Sequence, residues 1–256
     1  MTRILILGGT AEAVALANGI AARAPGVDVV TSLAGILDDT PDLPGRVRRG
    51  GFGGADGLSR YLDEERIDAL VDATHPFARI MATTACTAAC RSGVPRIKLV
   101  RPMWNRMPGD CWIVVDDIDA AVDSLKTLAP QAALITLGSR AIESFRGIDG
   151  MRLIFRMIAP PKEPLPKPAM EVLLQRGPFD VEREKALMTD RRVGALVTRA
   201  SGGGATEAKI RAARDLHLPV IMIRRPAVPQ GPVAADAEGV LDWLRKGGFA
   251  AWTGRP

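Results

Sequence analysis

The chain has 256 residues, 47% of them hydrophobic and 25% charged, which is the composition of a globular protein with one large or two ordinary domains. Its net charge of +5 comes with 27 arginines and 7 lysines, spread along the chain rather than gathered in a tail. With an aromatic content of only 4%, this distribution disfavours nucleic-acid binding and indicates pockets for anions. We find neither a signal-peptide pattern nor an apolar run of about 20 residues, so we expect a cytoplasmic protein without a membrane partner.

The first hundred residues alternate short apolar runs with helical patterns, which predicts a parallel sheet with helices on both faces. The predicted strands are Ile4–Leu7, Val27–Leu33, Arg46–Arg49, Ala69–Asp72 and Arg96–Val100. The predicted helices are Thr10–Arg23, Asp56–Glu65 and Pro76–Arg91.

The segment Arg101–Asp110 interrupts this pattern with two prolines and a glycine, and it predicts a domain boundary. The alternation then restarts, with predicted strands Trp112–Val115, Ala133–Thr136, Met151–Met157, Ala195–Thr198 and Val220–Ile223. The predicted helices are Ile118–Leu128, Val181–Met188, Thr206–Leu216 and a closing helix Ala234–Lys246. We therefore expect an α/β fold of two Rossmann-like domains, residues 1–105 and 106–256, with residues 160–168 as a surface loop.

Residues Gly8–Ala13 join the first predicted strand to the first predicted helix. Glycines there let backbone N–H groups approach an anion, and the helix N-terminus adds a favourable dipole. The third glycine of the full dinucleotide-binding fingerprint is missing, so a tight turn with Thr10 as N-cap is the alternative interpretation. The position of the glycine pair favours nucleotide binding.

The end of the second predicted strand, Val30–Gly35, carries no acidic residue. Enzymes of this fold that use NAD usually place an acid there for the ribose 2′-hydroxyl. Small hydroxyl side chains stand there instead, and Arg46, Arg48 and Arg49 follow on the next strand. This pattern favours a 2′-phosphate and hence NADPH over NADH, and a solvated arginine surface is the alternative.

Two more segments follow strands of the first half. Gly50–Gly54 contains four glycines around Phe52, at the sheet edge where ligands bind in such folds. Asp72–Ala78 follows the fourth predicted strand and contains His75, which can donate a hydrogen bond or a proton to a ligand. Capping or packing of its own turn is the alternative role for His75.

The second half also places glycine or proline at strand ends, in Thr136–Arg140, Arg176–Phe179 and Thr198–Thr206. The last of these is a small-residue loop that opens a helix, which makes it another potential anion site. Positive charge is available nearby from Arg199, Lys209, Arg224 and Arg225. We find no pattern for a metal site, and two histidines in the whole chain disfavour a hydrolase triad.

Taken together, these segments resemble the precorrin-6A reductase family of cobalamin biosynthesis, including its cobalt-precorrin-6A reductases. The matching segments are Ile4–Glu12, Gly51–Leu58, Asp72–Ala78, Arg101–Trp104, Gly177–Asp180, Ala200–Thr206 and Arg225–Pro226. They occur in order over nearly the whole chain, and the GGFGG and DATHPFA segments are the most specific. The resemblance implies NADPH and a tetrapyrrole in a cleft between two Rossmann-like domains, with reduction of one macrocycle double bond of precorrin-6A to give precorrin-6B.

The resemblance also implies site residues. On the cofactor side these are Gly9, Thr10, Ser32, Gly51, Phe52, Gly53, Thr74, His75, Pro76 and Phe77, to which the 2′-phosphate hypothesis adds Arg49. On the substrate side they are Arg140, Gly177, Arg199, Ser201, Gly202 and Arg225. Arginine stands at 140 and 199 where many relatives are expected to have lysine, and Asp180 stands where serine is expected. A proton donor to the reduced bond remains open among His75, Tyr61, Lys209 and water.

Three alternatives stay open. The substrate of such an enzyme can carry cobalt, with NADH or NADPH as reductant. A methyltransferase that uses S-adenosylmethionine is disfavoured, because Thr31–Gly35 offers no acid for the ribose hydroxyls. A non-catalytic NADPH-sensing protein would bind the cofactor without oxidising it. We expect a monomer or a small homo-oligomer.

Overall fold

The computed structural model describes residues 1–34, 42–161 and 163–249. Within these ranges the chain forms two compact units, one of Met1–Arg101 with the chain from Pro226 onward, the other of Pro102–Arg225. Over the described residues each unit contains one six-stranded sheet whose neighbouring strands are all parallel. The predicted α/β fold with two Rossmann-like domains is confirmed. Gly35, which belongs to the segment used for the cofactor prediction, lies outside the described residues.

The first unit contains strands and helices numbered along the chain. Its strands are β1 (Arg3–Leu7), β2 (Asp28–Leu33), β3 (Arg46–Arg49), β4 (Ala69–Asp72), β5 (Arg96–Leu99) and β12 (Val233–Ala234). Its helices are α1 (Ala11–Arg23), α2 (Gly54–Glu64), α3 (Arg79–Ser92) and α7 (Ala237–Lys246). The strand order is β12-β5-β4-β1-β2-β3.

Helices cover both faces of this first sheet. Successive residues of β1 point to opposite faces, so Ile4 and Ile6 pack with α1 and α7, whereas Leu5 and Leu7 pack with α2 and α3. A strand that is covered on both sides needs apolar residues at every position, and β1 is accordingly buried throughout Ile4–Leu7. Polar function in this unit is therefore left to the loops at the sheet edges.

The closing helix belongs to the first unit, which corrects the predicted C-terminal domain of residues 106–256. Leu241 and Leu244 of α7 are buried in one cluster with Leu16 of α1. A Cβ atom on Gly19 would lie 3.0 Å from the Leu241 side chain, so the two helices are closely packed. β12 pairs with β5 and extends the first sheet at its edge.

The second unit has the same plan. Its strands are β6 (Cys111–Val115), β7 (Ala132–Ile135), β8 (Arg152–Met157), β9 (Met170–Leu174), β10 (Ala195–Arg199) and β11 (Pro219–Ile223). Its helices are α4 (Ile118–Leu128), α5 (Val181–Asp190) and α6 (Ala208–Asp215). The strand order is β6-β11-β10-β7-β8-β9. The edge strand β9 was not predicted from the sequence.

Three predicted helices begin two or three residues later than the sequence pattern indicated. The predicted helix Pro76–Arg91 begins at Arg79, after a turn in which the Ala78 N–H donates to the His75 carbonyl at 2.8 Å. The closing helix begins at Ala237, because Asp236 caps it by accepting a hydrogen bond from the Gly239 N–H at 2.8 Å. The third is α6, which follows a short 3-10 turn at Gly204–Thr206.

Each sheet has one point where the strand order reverses. It lies between β1 and β4 in the first sheet and between β7 and β10 in the second. Ligands of open α/β sheets bind beyond the carboxyl ends of the strands at such a point. No helix within the described ranges is long and apolar enough to span a bilayer.

Candidate functional site

The turn after β1 lies at the reversal point of the first sheet. Gly9 adopts a φ of +102°, which favours glycine, and a Cβ atom on Gly8 would lie 3.1 Å from side-chain atoms of Thr31 and Leu33. Thr10 is the N-cap of α1, since its Oγ1 accepts the Ala13 N–H at 3.2 Å. The glycine pair is thus needed for the turn itself, and the turn leaves the N-terminus of α1 at the carboxyl edge.

The turn after β4 lies on the other side of the same point. His75 Nδ1 accepts the Phe77 N–H at 3.2 Å, so a neutral His75 carries its hydrogen on Nε2. Its ring centroid lies 5.9 Å from that of Phe77. His75 therefore orders its own turn, as the alternative interpretation proposed.

A small pocket lies between these two turns. It is lined by Thr10, Glu12, Ala73, Thr74, Pro76, Leu99 and Arg101. The Arg101 Nη1 lies 3.1 Å from both carboxylate oxygens of Glu12, so the wall of the pocket carries a paired charge. Of the predicted cofactor residues, Thr10, Thr74 and Pro76 are brought together here.

The glycine loop after β3 is organised by Arg48. Its guanidinium donates to the carbonyl oxygens of Gly50 at 2.6 Å and Gly51 at 2.8 Å, and its Cζ lies 3.8 Å from the Phe52 ring centroid. Ser32 Oγ, at the end of β2, is 3.5 Å from Arg48 Nη1. Phe52 is held between Arg48 and Tyr61, whose ring centroid is 5.2 Å away.

The three arginines of β3 have different environments. Arg46 Nη2 lies 3.0 Å from Asp28 and its Nη1 lies 3.3 Å from Glu65, so it is committed to an ion-pair cluster. Arg46 pairs with Val30 in the register, two residues before the Ser32–Arg48 level. Of the three arginines, only Arg48 and Arg49 therefore lie near the end of the strand. Arg46 is not a candidate for binding a 2′-phosphate.

Tyr61 lies beneath the glycine loop rather than in the pocket. Burial, and then the nearby Glu65 carboxylate, raise the pKa of its hydroxyl above the usual value. The contact with Phe52 gives Tyr61 a clear packing role.

In the second unit, three of the family-like segments meet at one place. The Trp104 indole N–H donates to the Gly203 carbonyl oxygen at 2.8 Å, and Lys209 Nζ lies 5.7 Å from the Trp104 ring centroid. Arg225 Nε donates to the Ala200 carbonyl at 2.7 Å, and its Nη2 donates to the Ser201 carbonyl at 2.7 Å. The triple-glycine loop after β10 is thus held by Trp104, which precedes β6, and by Arg225, which follows β11.

Gly202 has the strongest requirement for glycine in that loop. Its φ is +61°, and a Cβ atom would lie 2.1 Å from the Pro102 carbonyl oxygen and 2.4 Å from Arg225 Nη2. The positive φ and the lack of room for a side chain explain why glycine is needed here, without reference to a ligand. Ser201, by contrast, is a buried polar residue at the start of the loop.

Arg140 and Arg199 lie at the reversal point of the second sheet, after β7 and at the end of β10. Burial, followed by the like charge of Arg140, lowers the pKa of the Arg199 guanidinium below its usual value. Two guanidinium groups close enough to repel each other favour an anionic ligand.

Gly177 lies after β9, where the peptide bond to Pro178 is cis. Phe179 covers Arg156, whose Cζ is 4.2 Å from the ring centroid, and Arg156 forms a buried ion pair with Glu184 of α5. Sequence reasoning missed Arg156, Glu184 and Trp104 as parts of these loops, and it named Arg48 only as a candidate for the 2′-phosphate. Of the three missed residues, only Trp104 belongs to a segment that carries the family resemblance.

The comparisons with known proteins agree with the geometry. The family model "Precorrin-6x reductase CbiJ/CobK" matches residues 3–245. The chain belongs to this family. It is accordingly an oxidoreductase, and the family places it in cobalamin biosynthesis.

Individual relatives cover almost the whole chain. The precorrin-6A reductase of Rhodococcus erythropolis is 46% identical over 95% of this chain and 98% of its own length. That of Rhodobacter capsulatus is 39% identical over 95% and 96%. A solved structure, "CobK precorrin-6A reductase", has a TM-score of 0.91 and 39% identity, over 97% of this chain and 98% of its own. The cobalt-precorrin-6A reductase of Priestia megaterium is 29% identical over 94% and 97%.

A reductase of this family is expected to use a nicotinamide cofactor, and the first unit fits one. Gly9, Gly50 and Gly53 have positive φ angles, and no atom lies within 4 Å of the Cβ position at any of them. A side chain at any of these positions would fill open space beside the backbone, which a ligand can occupy instead. The open backbone after β1 and β3, together with the N-terminus of α1, suits the phosphates of a dinucleotide.

Proposed function

We propose that the chain is a cytoplasmic enzyme that reduces one macrocycle double bond of precorrin-6A to precorrin-6B with NADPH. The observation that carries this proposal is the match to precorrin-6A reductases, at 46% and 39% identity over at least 95% of the chain. The cobalt-precorrin-6A reductase from Priestia megaterium is less similar, at 29% identity. This difference favours the metal-free substrate over the cobalt-bearing one.

The proposed cofactor site is the carboxyl edge of the first sheet. The phosphates approach Gly9, Gly51 and Gly53, and Thr74–Phe77 line the opposite side of the reversal point. NADPH supplies the hydride when it is bound, and the protein supplies orientation and exclusion of water. His75 orders the turn on that opposite side, because its Nδ1 accepts the Phe77 N–H.

The preference for NADPH over NADH is assigned to Arg48, Arg49 and Ser32. Within the described residues, the partners of Arg48 are two carbonyl oxygens, one hydroxyl and two aromatic rings, all of them neutral. The positive charge is therefore available to a phosphate next to Ser32. Arginine suits a phosphate because its fork donates two parallel hydrogen bonds.

The proposed substrate site is the carboxyl edge of the second sheet. Arg140, Arg199 and Arg225 supply positive charge for carboxylate groups of the tetrapyrrole, and Gly177, Ser201 and Gly202 lie in the adjoining loops. Burial and then the like charge of Arg140 lower the pKa of Arg199, and binding of a carboxylate offsets both effects.

Hydride addition to one carbon of the double bond requires a proton at the other. Among the candidates, Lys209 fits best, since an ammonium group carries a proton that it can give up. Neutral His75 and Tyr61 fit less well. The His75 ring accepts a hydrogen bond within its own turn, and Tyr61 packs beneath Phe52 with a raised pKa.

The cofactor part of the proposal is tested by direct binding. We expect calorimetric titration of the purified protein to show tight binding of NADPH and affinity for NADH at least about ten-fold lower. Equal affinities would contradict the assignment of Arg48 and Arg49. A protein that binds neither nucleotide would contradict the reductase itself.

A further inference from the structure

Asp72 and Lys98 form a buried ion pair inside the first unit. Asp72 ends β4, and Lys98 is its register partner on β5. Lys98 Nζ lies 2.8 Å from Asp72 Oδ2, and the two side chains are 3% and 0% exposed. Both charges have therefore been removed from water and face each other.

Such a pair is poorly explained by stability alone. Removal of two charges from water costs as much as their attraction returns, and apolar residues of similar volume are often as stabilising. Leu70, Val71 and Ile97, which precede the pair in sequence on the same two strands, are apolar and buried. A further apolar pair would suit this sheet equally well, so a role other than stability is indicated.

The second oxygen of Asp72 determines the orientation of Thr74. Asp72 Oδ1 accepts the Thr74 N–H at 3.1 Å and the Thr74 Oγ1–H at 2.6 Å. An ionised carboxylate only accepts hydrogen bonds, so Thr74 must spend its one hydroxyl hydrogen on Asp72. Thr74 Oγ1 can then offer only lone pairs to any other group.

Thr74 lies in the wall of the pocket at the reversal point, together with Thr10 and Pro76. The preceding residue is held from the other side, because Thr10 Oγ1 donates to the Ala73 carbonyl at 2.8 Å. The backbone where this turn begins is thus fixed at two consecutive residues. The orientation that Asp72 imposes is presented directly to the pocket.

We infer that Asp72 and Lys98 are positioning residues for cofactor binding. Lys98 fixes the carboxylate of Asp72, and that carboxylate makes Thr74 a hydrogen-bond acceptor. Thr74 Oγ1 therefore recognises a donor group of the nicotinamide nucleotide, a ribose hydroxyl or the carboxamide N–H, rather than a phosphate oxygen. This inference rests on the proposed function, since it requires NADPH at this edge.

The test is a double-mutant cycle on NADPH affinity, measured by calorimetry without tetrapyrrole, with melting temperatures in parallel. Lys98→Met and Thr74→Val are each expected to weaken NADPH binding about ten-fold. The double variant is expected to bind NADPH at most about twenty-fold more weakly than the unaltered protein, because both changes remove the same contact. Thr74→Ser, which keeps the hydroxyl, should restore affinity to within about three-fold of the unaltered protein.

A matched control separates positioning from general destabilisation. Ile97→Ala removes a buried side chain from the residue that precedes Lys98 on β5, on the other face of the sheet, and it should lower the melting temperature without changing NADPH affinity. Weakening of NADPH binding by Ile97→Ala to the same extent as by Lys98→Met would overturn the inference. So would unchanged affinity in Lys98→Met, or a double variant weakened about a hundred-fold.

If Lys98→Met does not fold, the same measurement is made on Asp72→Asn combined with Lys98→Met, which buries no charge and keeps an oxygen for Thr74. The expected loss is at least about three-fold, because the amide is no longer fixed by Lys98. Affinity equal to that of the unaltered protein would overturn the inference. Absence of NADPH binding in the unaltered protein would overturn the proposed function and this inference together.

Discussion

The Thr10 hydroxyl donates a hydrogen bond to the Ala73 carbonyl oxygen at 2.8 Å, and its oxygen also accepts the Ala13 N–H at 3.2 Å. One side chain thus caps α1 and joins the turns after β1 and β4. These are the two turns that flank the reversal point of the first sheet. The joint between them makes the candidate cofactor site a single structure rather than two independent loops.

Replacement of Thr10 should affect both stability and cofactor binding. Thr10→Val removes the cap and the bond to Ala73, and we expect a loss of about 1 kcal/mol in the free energy of unfolding. NADPH affinity should fall as well, because the two turns are no longer joined. Thr10→Ser keeps both hydrogen bonds and is the control. Equal NADPH affinity in Thr10→Val and Thr10→Ser would show that the joint does not matter for the cofactor.

The cofactor preference should depend on Arg48 and not on Arg46. Arg48→Met is expected to reduce the ratio of kcat/KM for NADPH to that for NADH by about ten-fold or more, through loss of a charge near Ser32. Arg46→Met, two residues earlier on the same strand, should leave this ratio unchanged, because Arg46 is paired with Asp28 and Glu65. Steady-state kinetics with both nucleotides measure the ratio. A larger effect from Arg46→Met would reverse the assignment.

Stability at low pH should depend on Asp28. Burial opposes ionisation of this carboxylate, but hydrogen bonds from Arg3 and Arg46 outweigh it and lower the pKa of Asp28. A lowered pKa in the folded state gives stability that is fully present above the unfolded value of about 3.9 and is lost as the pH falls through the folded value. Asp28→Asn should therefore lose less stability than the unaltered protein between about pH 4 and pH 2. Chemical denaturation at each pH gives the comparison, and parallel curves for the two proteins would contradict it.

The triple-glycine loop allows a direct steric test. Gly202→Ala places a methyl group where it would meet the Pro102 carbonyl oxygen at 2.1 Å, in a conformation with φ of +61°. We expect a loss of at least about 2 kcal/mol in the free energy of unfolding. Gly204→Ala is the control, because no atom lies within 4 Å of its Cβ position. Similar melting temperatures for the two variants would mean that the contact between Pro102 and Gly202 is not maintained in solution.

Much of the fold was predictable because local patterns determine it. β1, which is covered by helices on both faces, is a continuous apolar run in the sequence. The N-cap of α1, Thr10, is also recognisable from the sequence. The glycine segments were also found, since a turn with positive φ leaves a visible glycine. Strand β9 was missed because this edge strand directly follows a proline-rich segment that was interpreted as a loop. The closing helix was assigned to the wrong unit because an apolar helix face does not specify which sheet it covers.

The site was harder to predict, because its decisive contacts join residues distant in sequence. Arg46 and Arg48 look equivalent in the chain, yet Arg46 is committed to Asp28, 18 residues away. Asp72 and Lys98 are 26 residues apart and meet only through the register of β4 and β5. Trp104 stood in a noticed segment, but its hydrogen bond to Gly203 spans 99 residues. Residue types and spacing alone contain none of these pairings.

The most direct test is turnover of the proposed substrate. Purified protein is mixed with metal-free precorrin-6A and NADPH, and the absorbance of the reduced nicotinamide is followed. The molecular mass of the product is then measured by mass spectrometry. We predict oxidation of NADPH, much slower oxidation of NADH, and a product heavier by two hydrogens, one delivered as hydride and one as a proton. Tight NADPH binding without oxidation in the presence of precorrin-6A would contradict the proposed reaction, and activity restricted to the cobalt-bearing substrate would assign the chain to the other branch of its family.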